Sequence, residues 1–471
     1  MTCLNHASLA ASLAALTVTA DAAAASKPKS PAGKRPAVIV IMTDQQTAGA
    51  ISCAGNPWVR TPAMDALAAD GVRFTRAYCP YPLSGPCRAA LVTGRMPFEV
   101  GAFDNAIRPA DADMQAGIGH RLAEAGYECL YAGKWHVPEV NLPDSGTGFR
   151  RISKMNDPAL ADACDAALKE YDGQKPLFLV ASLLNPHEIC EYGRHETLQY
   201  GELAPFSTEE CPNLPANFMP STYAAEALTL EHASSPRYHD TYTYTQDDWR
   251  RYLYAYYRLV ERADREVGRI VGVLKAHGFY DDAAIVFLSD HGDGAAAHGW
   301  NQKWNLQEEV INVPLIVKPP KGAGLRGVRN DEALSNVGLD LYATVCDYAG
   351  VTPDLERYRG RSLRPVAEGR QATLHDEVFV ETLLPGPDMR GWSVVGPRYK
   401  YVLYQWGRNR EALYDLQDDP GEMVNLAVDR RYEAELNRLR RAMYDWGVRI
   451  GDPKLVRNLR PFAEIRNCKP I

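Results

Sequence analysis

The chain has 471 residues, enough for one large domain and a smaller one. Hydrophobic residues make up 46%, charged residues 24%, and the formal net charge is −7, a balance typical of a soluble globular protein that excludes any general electrostatic attraction to nucleic acid. An anion site, if present, must be local.

Residues 1–25 form an Ala/Leu-rich run ending in small residues, "ADAAAAS", and are read as a signal peptide. The apolar stretch is too short for a membrane span and is interrupted by Asp21, while its small residues suit cleavage. A Lys/Pro/Ser linker follows at 26–36, so the mature protein is expected in the periplasm or outside the cell, with no membrane span. Loss of Cys3 with the signal leaves cysteines whose scattered spacing matches neither a zinc site nor a disulfide framework, and no pairing is assigned.

"AVIVIM" at 37–42 is a short β-branched run that delivers Asp44 and Gln45 at its end. "LFLVASLL" at 177–184 leads into Asn185, Pro186 and His187, and "AAIVFLS" at 283–289 into Asp290 and His291. Such continuous apolar runs predict buried parallel strands, and ligands of open α/β sheets bind at the carboxyl ends of the strands. Helical segments alternate with them. The clearest, over 247–275, repeats Leu253, Tyr256, Val260, Val267, Val271 and Leu274 at helical spacing and stops at His277-Gly278. Residues 188–237 have no clean period and predict a long active-site insertion. Beyond 370, "EVFVETLL", "GWSVVG" and "KYVLYQW" predict antiparallel strands, and a helix follows over 432–446. The expectation is an α/β catalytic domain over 37–369 and an α+β subdomain over 370–471.

Several residues at these strand ends could carry chemistry. An Asp closing a strand often only caps a helix, but Asp44-Gln45 and Asp290-His291 together could share a divalent cation. Lys134 and His136 in "GYECLYAGKWH", His187, and Lys303 in "HGWNQKWNLQEE" are singly ordinary; near strand ends they could surround an anion. The stretch "PLSGPCRAALVTGRMP" at 82–97 reads, on its own, as a loop with Ser84 as N-cap of a short helix.

Together these segments resemble a type I sulfatase of the alkaline phosphatase superfamily. Ser84-Gly85-Pro86-Cys87-Arg88 followed by Thr93-Gly94-Arg95 fits that family's signature. "IMTDQQ", "TPAMDALAADGVRF", "AGYECLYAGKWH", "LLNPH", "FLSDHG", "VPLIV" and "ALYDLQDDPGEMVNL" follow in the family's order. The resemblance implies an alkaline-phosphatase-like α/β/α sandwich with a smaller C-terminal antiparallel sheet plus helix.

It also implies a mechanism. Ser84 would be oxidised to formylglycine (3-oxoalanine), whose hydrate carries two hydroxyls on one carbon: one attacks sulfur, and the other expels sulfate. Asp44, Gln45, Asp290 and His291 would hold the metal, which also touches residue 84. Arg88 would hold the hydrate, Lys134 and Lys303 would bind sulfate oxygens, His187 would protonate the leaving alcohol, and His136 would help deprotonate the hydrate. Arg390 is expected at the substrate. The family favours Ca2+, but His291 and Gln45 stand where many sulfatases have Asn and Asp, and imidazole leaves Mn2+ open. A serine signature implies a radical maturing enzyme of the serine type as partner. The expected activity is hydrolysis of a sulfate ester, on a glycan or other sulfated small molecule. Two alternatives are a phosphonate monoester or phosphodiester hydrolase, and a catalytically silent sulfate-binding protein.

Overall fold

Strand β1 (Val38–Asp44) lies at the centre of the protein and is buried along its whole length. The computed structural model describes residues 35–137, 144–234, 241, 243–353 and 357–464; the expected signal peptide and nearly all of the linker lie outside them. The other strands, in chain order, are β2 (Val72–Phe74), β3 (Ala77–Tyr78), β4 (Glu128–Gly133), β5 (Arg150–Ser153), β6 (Leu177–Pro186), β7 (Ala284–Ser289), β8 (Leu315–Lys318), β9 (Val328–Asn330), β10 (Ser335–Asn336), β11 (Val378–Leu384), β12 (Met389–Val395), β13 (Tyr399–Tyr404) and β14 (Glu411–Asp415).

Eight of these form one sheet in the order β5-β4-β6-β1-β7-β8-β2-β9. The three apolar runs read as buried strands are its adjacent centre, β6-β1-β7, and all three are parallel. Their register decides where the site forms. Val38 pairs with both Phe178 and Ala284, and at the far end Asp44 lies opposite Pro186 and Thr43 opposite Ser289. Asp44, His187 and Asp290 therefore leave the sheet at one edge, as carboxyl ends of neighbouring parallel strands must.

Alternation along β1 divides the core. Val38, Val40 and Met42 face one layer, with Leu91 and Val92 from the helix Ser84–Thr93 and Leu341 and Val345 from the helix Val337–Tyr348. Ile39 and Ile41 face the other, with Val267, Ile270 and Leu274 from the long helix Gln246–Ala276 and Leu160 and Cys164 from the helix Asp157–Glu170. Burial of both faces is what continuous apolar strands require. The long helix starts one residue before the expected boundary. Thr245 and Asp248 form a capping box there, and the stop at His277 is followed by Gly278 at φ 76°.

The C-terminal sheet is antiparallel, β11-β12-β13-β14. The expected strands are β11 to β13; β14 was not anticipated as a strand. One face of this sheet, including Val380 and Val395, joins the core of the main sheet, while the other, including Trp392 and Leu403, covers Leu439, Met443 and Trp446 of the helix Glu433–Ile450. Fully buried Lys400 ties the two parts together, pairing with Glu308 at 3.2 Å and Glu422 at 2.5 Å. A further helix, Pro453–Glu464, follows Gly451 and was not expected. All cysteines among the described residues are free, and no helix among them is long and apolar enough to cross a membrane.

Candidate active site

Ser84 is the first residue of its helix rather than its cap: Leu83 is the N-cap, in extended conformation. The Ser84 hydroxyl turns away from the backbone, toward Asp44 Oδ2 at 3.1 Å and His291 Nε2 at 3.0 Å. The first turn gains its external acceptor from elsewhere, because Asn105 Oδ1 accepts the Gly85 N–H at 2.9 Å. The helix is buried throughout and stops at Gly94, φ 65°, where a Cβ would lie 2.7 Å from the Tyr342 ring. Ser84 is thus held rigidly, with no exposed surface.

Asp44, Asp290 and His291 offer ligand atoms within 4.8 Å of one another, and all three are buried. Two carboxylates and an imidazole converging beside a hydroxyl suit a divalent cation with oxygen and nitrogen ligands. The His291 ring is oriented by a 2.9 Å contact from Nδ1 to the Gly292 carbonyl, which leaves Nε2 facing the cluster. Gln45, expected as a fourth ligand, bends at φ 69°. Its Oε1 accepts from Lys303 Nζ at 2.8 Å and from Cys190 Sγ at 3.3 Å, and its Nε2 donates to Asp293 at 2.8 Å.

Arg88 binds the two carboxylates from behind. Nε donates to Asp290 at 2.8 Å and Nη2 to Asp44 at 2.9 Å, while Nη1 donates to the Lys134 carbonyl and to Ser182 Oγ. Four of its five N–H donors are therefore committed within the protein. Lys134 Nζ adds a second cation at 2.7 Å from Asp44. Against the penalty of burial, Lys134, His187 and Arg88 hold the Asp44 carboxyl well below the carboxylate range. Burial and then the Asp44 charge push Asp290 up to about 7, with Arg88 opposing. One carboxylate is fixed as an anion and its neighbour carries the repulsion, the state that a bound cation would relieve.

Lys303 is buried, and among the described residues it makes no ion pair; its partner is the neutral amide of Gln45. His187 follows the end of β6 and keeps 19% of its side chain exposed. His136 is exposed, on a left-handed bend with φ 53° whose carbonyl adjoins Gly85.

A family model described as "Sulfatase" matches residues 36–351. The chain belongs to the sulfatase family. A second model, described as "N-sulphoglucosamine sulphohydrolase, C-terminal", matches residues 296–448 of this sulfatase. The Delta 4,5-hexuronate-2-O-sulfatase of Bacteroides thetaiotaomicron is 29% identical to it, over 92% of this chain and 93% of the relative. A solved 2-O GAG sulfatase superposes with a TM-score of 0.79 at 26% identity, covering 93% of this chain and 96% of that one. The phosphonate monoester hydrolase of Agrobacterium radiobacter, at 22% identity and a TM-score of 0.69, covers 91% of this chain and 96% of its own and shares the fold. The sulfatase is a sulfuric ester hydrolase built on the superfamily's α/β/α sandwich with a small C-terminal sheet and helix.

Arg390 of the sulfatase does not present a free guanidinium. It is 5% exposed, pairs with Asp452 at 2.8 Å and Glu381 at 3.3 Å, and stacks over Phe98, Phe103 and Trp392. A substrate contact from Arg390 would have to come from a guanidinium already held by Asp452 and Glu381, pairs that tie β12 to the Asp452 turn. Arg390→Ala should therefore cost about 3 kcal/mol of stability in denaturant unfolding, by stranding Asp452 and Glu381, with KM unchanged.

Sequence reasoning passed over Asp293, Ser182, Tyr252 and Asn105. Asp293 is fully buried and takes hydrogen bonds from Gln45, from the Tyr252 hydroxyl at 3.0 Å and from the Ala295 and Gln302 amides. A signal was available, since Asp293 stands two residues after His291 in the loop that leaves β7.

Proposed function

We propose that this sulfatase removes O-sulfate from an acidic glycan, with Ser84 as the residue converted to formylglycine. The observation that carries the reading is Lys303, a buried ammonium that has no carboxylate partner among the described residues, beside the cluster of Asp44, Asp290, His291 and Ser84. A sulfate monoester brings the negative charge that this cation lacks. The acidic glycan is supported by the relatives that act on a 2-O-sulfated hexuronate and on glycosaminoglycan.

Asp44, Asp290 and His291 would hold a divalent cation, Ca2+ or Mn2+, which would neutralise charge on the transferring group; Gln45 adjoins them. Formylglycine would supply paired hydroxyls on one carbon for attack and release. The other roles are assigned to neighbouring residues. Lys134 and Lys303 bind the sulfate oxygens, and His187 gives a proton to the departing alcohol. His136 assists proton removal at residue 84. Arg88 acts through Asp44 and Asp290, whose oxygens it fixes. The protein would be exported, and a serine-type radical maturing enzyme would act on Ser84.

The test is parallel kinetics of the matured enzyme on a 2-O-sulfated unsaturated hexuronate disaccharide and on an aryl phosphonate monoester. The sulfated sugar should give the larger kcat/KM. A larger value on the phosphonate would overturn the reading.

A further inference from the structure

His187 and Glu191 are four residues apart, on either side of the turn that leaves β6. His187 Nδ1 and Glu191 Oε2 are both buried, neither has a hydrogen-bond partner among the described residues, and they lie 3.9 Å apart. The other Glu191 oxygen, Oε1, is occupied, facing Arg194 Nη2 at 3.5 Å. Two such neighbouring atoms, a ring N–H and a carboxylate oxygen, each cost more unpaired than paired. A normal hydrogen bond would need them to approach by only about 1 Å.

The groups around the ring sharpen this. Lys134 and Lys303 face His187 from just after β4 and from the loop after β7, Asp44 from the end of β1, His291 from just after β7, and Glu191 from its own turn. Burial and the two lysines disfavour a protonated ring, and Asp44 is already engaged by Arg88 and Lys134. Glu191 brings a carboxylate oxygen with no hydrogen-bond partner among the described residues to 3.9 Å from Nδ1.

We infer that Glu191 is the positioning residue for His187: its carboxylate accepts the Nδ1–H and presents Nε2 to the oxygen of the departing alcohol. The inference rests on the role proposed above for His187. The ring enters the step as imidazolium, its charge offset by the Glu191 carboxylate: the Nε2 proton passes to the alcohol oxygen as the S–O bond breaks, the electron pair of that bond stays on the oxygen, and the ring is left neutral with its Nδ1–H still on Glu191.

A leaving group that needs no proton separates this from a merely structural role. The experiment compares Glu191→Gln and His187→Ala with the parent enzyme on the sulfated disaccharide, whose alkoxide leaves poorly, and on a nitrophenyl sulfate, whose phenolate leaves well. The ratio of the two kcat/KM values in one preparation is independent of the fraction of folded or matured enzyme. Glu191→Gln should lose on the order of 10- to 100-fold on the disaccharide and less than about 3-fold on the nitrophenyl ester. His187→Ala should show the same selectivity with a larger loss. If His187→Ala is selective and Glu191→Gln loses equally on both substrates, or on neither, the inference about Glu191 is wrong. If His187→Ala itself loses equally on both, the role given to His187 fails, and the inference fails with it.

Discussion

Ser84→Ala should abolish turnover, lowering kcat by about 10^5-fold or more while leaving the fold intact. The size of the effect follows from what the side chain does. Its hydroxyl is the only atom that distinguishes it from alanine, and that oxygen sits between Asp44 and His291, on the fully buried first turn of the helix. Alanine fits the same space and leaves no oxygen to attack sulfur or to be oxidised. The cost in stability should be within about 1 kcal/mol, since the backbone of the turn is held by Asn105 and by the rest of the helix. Steady-state kinetics with thermal melting checks both halves. Residual activity above a hundredth of the parent would remove Ser84 from the nucleophile's position.

Arg88→Leu should be the most destabilising single change in the site, by about 3–5 kcal/mol, because it leaves Asp44 and Asp290 buried without the cation that bridges them. Arg88→Lys should recover only part of that loss. One ammonium cannot reproduce the separate bonds from Nε, Nη1 and Nη2 to Asp290, Ser182 and Asp44. Exposed Arg441→Ala provides the control and should stay within about 0.5 kcal/mol. Equilibrium denaturation of the three variants gives the comparison. If Arg88→Leu matched the control, the buried ion pairs would not contribute to the stability of the site.

What could be read from the sequence and what could not divide along a physical line. The centre of the main sheet was legible because β1, β6 and β7 are buried on both faces and so consist mainly of apolar residues. Their ends were legible because polar residues follow those runs directly. Short strands such as β2 and β9 left no periodic trace, since three residues cannot show a period. The positioning residues were hidden for another reason. Ser182 lies inside an apolar strand, and Tyr252 is one aromatic among many on the core face of a long helix. Their importance comes from contacts to Arg88 and Asp293 that span 94 and 41 residues. The ion pairs of Arg390 were hidden too, because an arginine in a strand has the same local sequence whether its guanidinium meets a substrate or Asp452.

The central claim is that residue 84 turns over as an aldehyde hydrate formed from serine. It is tested most directly by the mass of the peptide spanning Ser84, taken from active enzyme matured in its own host. The account predicts a peptide lighter by two hydrogens than its sequence requires, in proportion to specific activity. Full activity from protein whose peptide keeps the unmodified serine mass would contradict it.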